Sequence, residues 1–255
     1  MSEEKNSNEA GLVPAGNRGL TNRSTKLLQR GLDLLRPRDV YFPMDRSVGS
    51  LDVYDSEDTK FDDLYGYTSG KYLGEARGHI RIPENKDLWL TVNDEGAKDF
   101  SFFTVLGPND LQALSSGSAN FEEEELVHIA NLTGLRKLLF GSPGTTDNSV
   151  ANIKKLVALQ WLDLSFTRIS DKALSHLHEM TRLRLLDLEK TLISDDGARQ
   201  LSRLPALEQL SLADTEVGDV GIVDVSRVTS LRALNLSYTK VTDAGLASCQ
   251  DLKGT

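Results

Sequence analysis

LQWLDLSFTRISDKALSHLHEMTR, residues 159–182, decides how the rest of the chain is read. Its apolar residues Leu159, Leu162, Leu164, Ile169, Leu174, Leu177 and Met180 suit neither one strand nor one helix. The first three fit a short strand; the last three fit a short helix. The stretch also recurs. FTRISDKAL at 166–174 returns as KTLISDDGA at 190–198, DTEVGDVGI at 214–222 and YTKVTDAGL at 238–246, each time after 24 residues. A fixed period of this size predicts stacked units, none of which can bury its apolar face alone.

The frame extends both ways. Later units begin at Leu183, Leu207 and Leu231, and earlier ones at Leu135 and Leu111. A degenerate unit fits from Asp87, with Leu90, Val92, Asp99, Phe102 and Val105 in place, so seven units account for 87–254. Each clear unit reads LxxLxLxxT, then [IV]-[STG]-D, then an apolar helix start. This pattern resembles leucine-rich repeats. The tail T-x-[IV]-[ST]-D-x-[GA]-L is most similar to the cysteine-containing subclass found in F-box substrate adaptors and many bacterial proteins. There Cys or Asn follows the strand; here Thr167, Thr191, Thr215 and Thr239 stand in that place, with Pro143 and Ala119 in earlier units. The resemblance implies a right-handed α/β solenoid, with a parallel sheet on the concave side and short helices on the convex side.

The polar residues of the repeat read as scaffold. A threonine where the chain leaves the sheet can bond the backbone of the turn or of the next unit. Ser170-Asp171, Ser194-Asp195, Gly218-Asp219 and Thr242-Asp243 precede apolar-periodic runs, as helix N-caps do, and their carboxylates suit the positive end of the helix dipole. A catalytic group would occur once, among dissimilar partners; this constellation recurs in every turn.

Other candidate chemistry is sparse. His176 and His178 are two apart on an expected helix, so they face different sides and cannot share a metal. Cys249 falls on the inward position of Leu177 and Leu201, which reads as a buried thiol. EEEE at 122–125 reads as a solvated acidic turn, with a contact for a basic partner as the second reading. No phosphate loop, zinc spacing or nucleophile motif is present, and neither cofactor nor metal is expected. The net charge of −9 argues against nucleic acid as a partner, although residues 1–38 carry net +3. No apolar run is long enough to span a membrane. One cysteine and an N-terminus without an apolar core suggest a cytoplasmic protein.

Function is expected on the concave face, where residues do not repeat. Alternation along the strands turns Leu162 and Leu164 inward and Trp161, Asp163 and Ser165 outward. The outward columns run Ala113, Lys137, Trp161, Leu185, Gln209, Ala233, and then Ser115, Leu139, Asp163, Asp187, Ser211, Asn235. A third runs Gly117, Gly141, Ser165, Glu189, Ala213, Ser237, with Phe166 and Tyr238 one step beyond the strands. Trp161, Leu185 and Leu139 should therefore meet beside Asp163, Asp187 and Glu189, an apolar patch with an acidic rim. The partner this predicts is another protein offering a basic and aliphatic segment.

The expected organisation is a disordered tail over 1–23, then a helix at 24–36 and a β-rich capping module to residue 86, then the solenoid over 87–255. At the far end, Leu231, Leu234 and Leu236 would border an open sheet edge, predicting either further chain or self-association there. The leading function is non-catalytic protein recognition. The subclass resemblance implies an alternative, a ubiquitin-ligase substrate adaptor or host-directed effector, for which 24–36 is too short to form an F-box-like module. An enzyme within 39–86 is a third reading with no acid–base or nucleophile motif behind it.

Overall fold

The structure, a computed structural model, describes residues 36–55 and 70–249. The tail over 1–23 and nearly all of the helix expected at 24–36 lie outside the described residues. Strands β1 (Arg38–Tyr41), β2 (Gly49–Asp55), β3 (Lys71–Glu75) and β4 (His79–Ile82) come first. They are followed by β5 (Lys86–Val92), β6 (Ala113–Ser115), β7 (Lys137–Leu139) and β8 (Trp161–Asp163). The last are β9 (Leu185–Asp187), β10 (Gln209–Ser211) and β11 (Ala233–Asn235).

From β5 to β11 every neighbour pair is parallel, and Trp89, Ala113, Lys137, Trp161, Leu185, Gln209 and Ala233 lie in one register row. The 24-residue period is thus the crossover length of the sheet. At its other end the sheet turns antiparallel: β2 pairs with β5, Asp52 opposite Trp89, and β3 pairs with β2. β1 and β4 form a separate two-stranded ribbon. Of these, β3 carries no alternating apolar pattern and was not legible as a strand; its side chains are mostly exposed.

Inward residues Leu90, Leu114, Leu138, Leu162, Leu186 and Leu210 are fully buried. They belong to one continuous core that also takes in Val40, Phe42, Leu51 and Val53 from the first strands. At the β11 end, Leu231 is still buried, while Leu234, Leu236, Val241 and Cys249 are only partly covered. Helices α1 (Asp94–Ala97), α2 (Asp147–Ile153), α3 (Asp171–Leu174), α4 (Asp195–Ala198), α5 (Asp219–Val225) and α6 (Asp243–Leu246) lie on the opposite side, interspersed with short 3-10 turns. No described helix is long and apolar enough to cross a membrane.

The repeating polar residues do what the pattern predicts, and one does more. The Thr167, Thr191, Thr215 and Thr239 hydroxyls each donate to the carbonyl three residues back, at 2.6–2.7 Å, closing the strand exit. Where Pro143 breaks this column, Thr145 donates to the Phe140 carbonyl instead. Ser170, Ser194 and Thr242 cap their helices through their hydroxyls. The following aspartates, however, reach across to the next unit. Asp171 accepts both the amide (2.8 Å) and the hydroxyl (2.6 Å) of Ser194. Asp147 does the same for Ser170 and Asp219 for Thr242, while Asp195 accepts the Gly218 amide.

This ladder explains the small residue two places after each aspartate: a Cβ on Gly197 would collide with Asp171 Oδ1. Two bonds to a carboxylate make Asp171 a tie between units rather than a local cap. Asp171→Ala is therefore expected to cost about 2 kcal/mol, more than the ~1 kcal/mol of a lost cap, in a urea-unfolding measurement.

Two of the four acidic residues at 122–125 are likewise structural. Glu125 accepts the Phe100 amide at 2.6 Å, and Glu123 accepts the Thr146 hydroxyl. Only Glu122 and Glu124 are exposed there.

Candidate functional site

On the outer face of the sheet a second apolar cluster forms, separate from the core. It comprises Trp89, Ala113, Leu139, Trp161 and Leu185, with Tyr54 packed against it. The two indoles stand three strands apart in one register row, with Ala113 and Lys137 between them. The Lys137 ammonium lies 5.2 Å from the Trp161 ring centre and 5.6 Å from that of Trp89, within cation–π range. Tyr54 tilts over Trp89 with centroids 5.4 Å apart.

Trp161, Leu185 and Leu139 thus meet as the sequence predicts, yet they are not an exposed patch. Trp161 is 3% exposed and Leu185 1%. The columns show which way a side chain points, but its exposure depends on the size of its neighbours, and here the neighbours close over it.

What stays open is a cleft of about 490 Å³ beside this cluster. Its floor is Trp89 and Leu139, and Asp52 and Tyr54 of β2 form one wall. Asp163 and Ser165 stand on the other side, with the Thr91 and Ser115 hydroxyls between. Gly117 and Gly141 line it without side chains, which leaves room above the sheet. Gly117 also takes φ of +55°, a conformation that favours glycine.

One cation, Lys137, stands on this face, its ammonium over the Trp89 and Trp161 rings. Asp52, Asp163, Asp187 and Glu189 form no ion pair among the described residues. Elsewhere Arg136 pairs with Asp87, Arg184 with Glu208, and Lys190 with Asp214. Burial pushes the Asp52 carboxyl above its ordinary range. Burial, then the charge of Asp52, raises the Tyr54 hydroxyl. Asp187 is 8% exposed and raised furthest, to about 7. Its burial is the main cause, opposed by the Glu189 amide and reinforced by the charges of Asp163 and Glu189.

These aspartates also hold the backbone. Asp163 Oδ1 accepts the Ser165 amide at 2.9 Å and its hydroxyl at 2.7 Å, and Asp187 Oδ1 accepts the Glu189 amide at 2.9 Å. Ser115 and Asn235 do the same for Gly117 and Ser237 without charge. The turn needs an acceptor and not a carboxylate, so the charges at 163 and 187 are additional to the fold.

The remaining predicted residues divide. Gln209 continues the register row beyond Leu185, half-buried, and Asn235 and Tyr238 lie at the far edge, away from the cleft. Phe166 (50% exposed) and Tyr238 (89% exposed) stand at the strand exits with φ near +59°. Lys190 and Asp214 hold the same left-handed position in the intervening units, and Lys190 lies 5.2 Å over the Phe166 ring. These side chains form a rim beside the face, not part of the cleft. His178 Nδ1 contacts its own Ser175 carbonyl, and no group of metal-ligating residues occurs among the described residues.

Asp52, Tyr54, Trp89 and Thr91 were missed in the sequence. Trp89 and Thr91 follow from carrying the outward columns one unit back, because Leu90 is the inward residue of that unit. Asp52 and Tyr54 arrive through the antiparallel pairing of β2, which leaves no trace in a 24-residue frame.

A family match and one solved structure, internalin C2, agree with this architecture. A family description, Leucine Rich repeat, matches residues 229–248. Internalin C2 of Listeria monocytogenes is similar in fold, with TM-score 0.53 and 20% identity over 64% of this chain and 77% of that one. The leucine-rich-repeat ectodomain of the Arabidopsis receptor kinase HAESA, solved with a peptide hormone ligand, gives TM-score 0.39 and 19% identity over 51% of this chain and 23% of that one. An internalin, inlF, of Listeria monocytogenes gives TM-score 0.32 and 19% identity over 65% of each chain. No curated protein matches the sequence.

Proposed function

We propose that this leucine-rich-repeat solenoid is a non-catalytic recognition protein whose concave cleft takes a basic segment of a protein partner. The observation that carries the reading is the cleft itself. It holds about 490 Å³ of open space, an aromatic and aliphatic floor, and carboxylates on both walls that enter no ion pair among the described residues. Charge complementarity selects Lys or Arg from the partner, and the floor accepts their aliphatic stems. In this reading the first strands cap the solenoid and also supply the Asp52–Tyr54 wall. Cytoplasmic residence belongs to the same proposal and rests on the lone cysteine.

Hexa-arginine is a suitable probe, because guanidinium stays charged at all working pH. In calorimetric titration against the full chain, the double variant Asp52→Asn with Asp163→Asn is expected to bind about tenfold more weakly, roughly 0.7 kcal/mol per lost partly exposed charge. Its unfolding midpoint should stay within a degree or two, since Asn keeps the turn bond that Asn235 already makes. Equal affinity in the variant and the wild type would remove the cleft from the account.

A further inference from the structure

The cleft borders a feature that neither the fold nor simple charge attraction requires. Asp163 and Asp187 are register partners on adjacent parallel strands, and Glu189 follows two residues later on the same face. Like charges placed directly opposite on a sheet repel. None of the three enters an ion pair among the described residues, and β10 offers Ser211, wholly buried, whose hydroxyl faces Asp187 and opposes the upward shift only weakly. Asn235, at the same position of a later unit, shows that an amide would close the turn equally well. A buried charge kept where an amide suffices is a functional signal rather than a structural one.

Resting on the recognition reading above, we propose that the Asp163–Asp187–Glu189 run makes recognition proton-linked: the empty face holds a proton on Asp187, and a docked cationic segment expels it. The charged groups facing Asp187 are Asp163 from β8 and Glu189 from its own strand exit; both are acidic, so both favour the protonated form when the face is empty. A guanidinium or ammonium brought to this run reverses that balance. Linkage then requires that the proton leave as the segment binds and that acid weaken binding by the same coupling. The raised position of Asp187, about 7, puts this exchange near neutral pH.

The test is a calorimetric titration of the full chain with hexa-arginine at pH 6 and pH 8, each in two buffers of different ionisation enthalpy. Wild type is expected to bind about tenfold more tightly at pH 8, the factor by which the ionised fraction of a group titrating near 7 changes over that range. It should also release a fraction of a proton at pH 7. Asp187→Asn, whose turn bond is retained, should bind with the same affinity at both pH values and release none. Binding by wild type that is equal at both pH values, with no proton released, overturns the linkage and leaves the recognition reading standing. Absence of binding at both pH values overturns the recognition reading and the linkage with it. A 13C carboxyl titration of the unliganded chain gives a second, binding-independent check. Asp187 titrating within the usual carboxylate range would overturn the linkage.

Discussion

Asp187→Asn is expected to stabilise the fold by about 4 kcal/mol at pH 8 and by only about 1 kcal/mol at pH 4.5, measured by urea unfolding. The sign follows from where the proton sits. In the folded chain the carboxyl is raised to about 7, with burial as the first cause; unfolded, it returns to about 3.9. Between those values the folded state binds more protons than the unfolded one, so stability falls as pH rises from about 4 to about 7. Some three units at 1.36 kcal/mol each give about 4 kcal/mol, all of it present above the folded value. The amide variant removes this penalty while keeping the bond from the Glu189 amide. A gain equal at both pH values would mean that the charge is not what the substitution relieves.

Trp161→Ala is expected to cost about 3–5 kcal/mol, as large-to-small changes at buried aromatic positions do. The indole is 3% exposed in one cluster with Leu185 and Leu139, and Lys137 lies over its face. Removing it opens a cavity in the outer cluster and withdraws one of the two rings beside that ammonium. Any loss of partner binding in this variant would therefore come with a loss of stability, which is why the carboxylates are the cleaner probes of recognition. A change near zero in guanidinium unfolding would place the indole in solvent and restore it as a contact residue.

The repeat, its register and the direction of each side chain were legible because they depend on a local period. Leu162 points inward and Trp161 outward for the same reason in every unit. Burial on the outer face was not legible, because it depends on the neighbours: Ala113 beside Trp89 and the Lys137 stem beside Trp161 close the cluster, and Gly117 and Gly141 keep the cleft open. The role of Asp171 was half legible. Its place at the start of a helix marks a cap, but its bond to Ser194 spans two units and shows only when they stack. Asp52 and Tyr54 were beyond reach, since the antiparallel strand that carries them shares no period with the solenoid.

The most direct test of recognition at the concave cleft uses the chain's own reporters. Its two tryptophans, Trp89 and Trp161, both belong to the outer cluster beside the cleft. Titrating hexa-arginine while following tryptophan emission should give a saturable change in the wild type. The change should be strongly weakened in the Asp52→Asn, Asp163→Asn variant and missing with hexaglutamate. Binding detected by calorimetry that leaves the emission of both tryptophans unchanged, and that the double variant retains in full, would contradict recognition at this face.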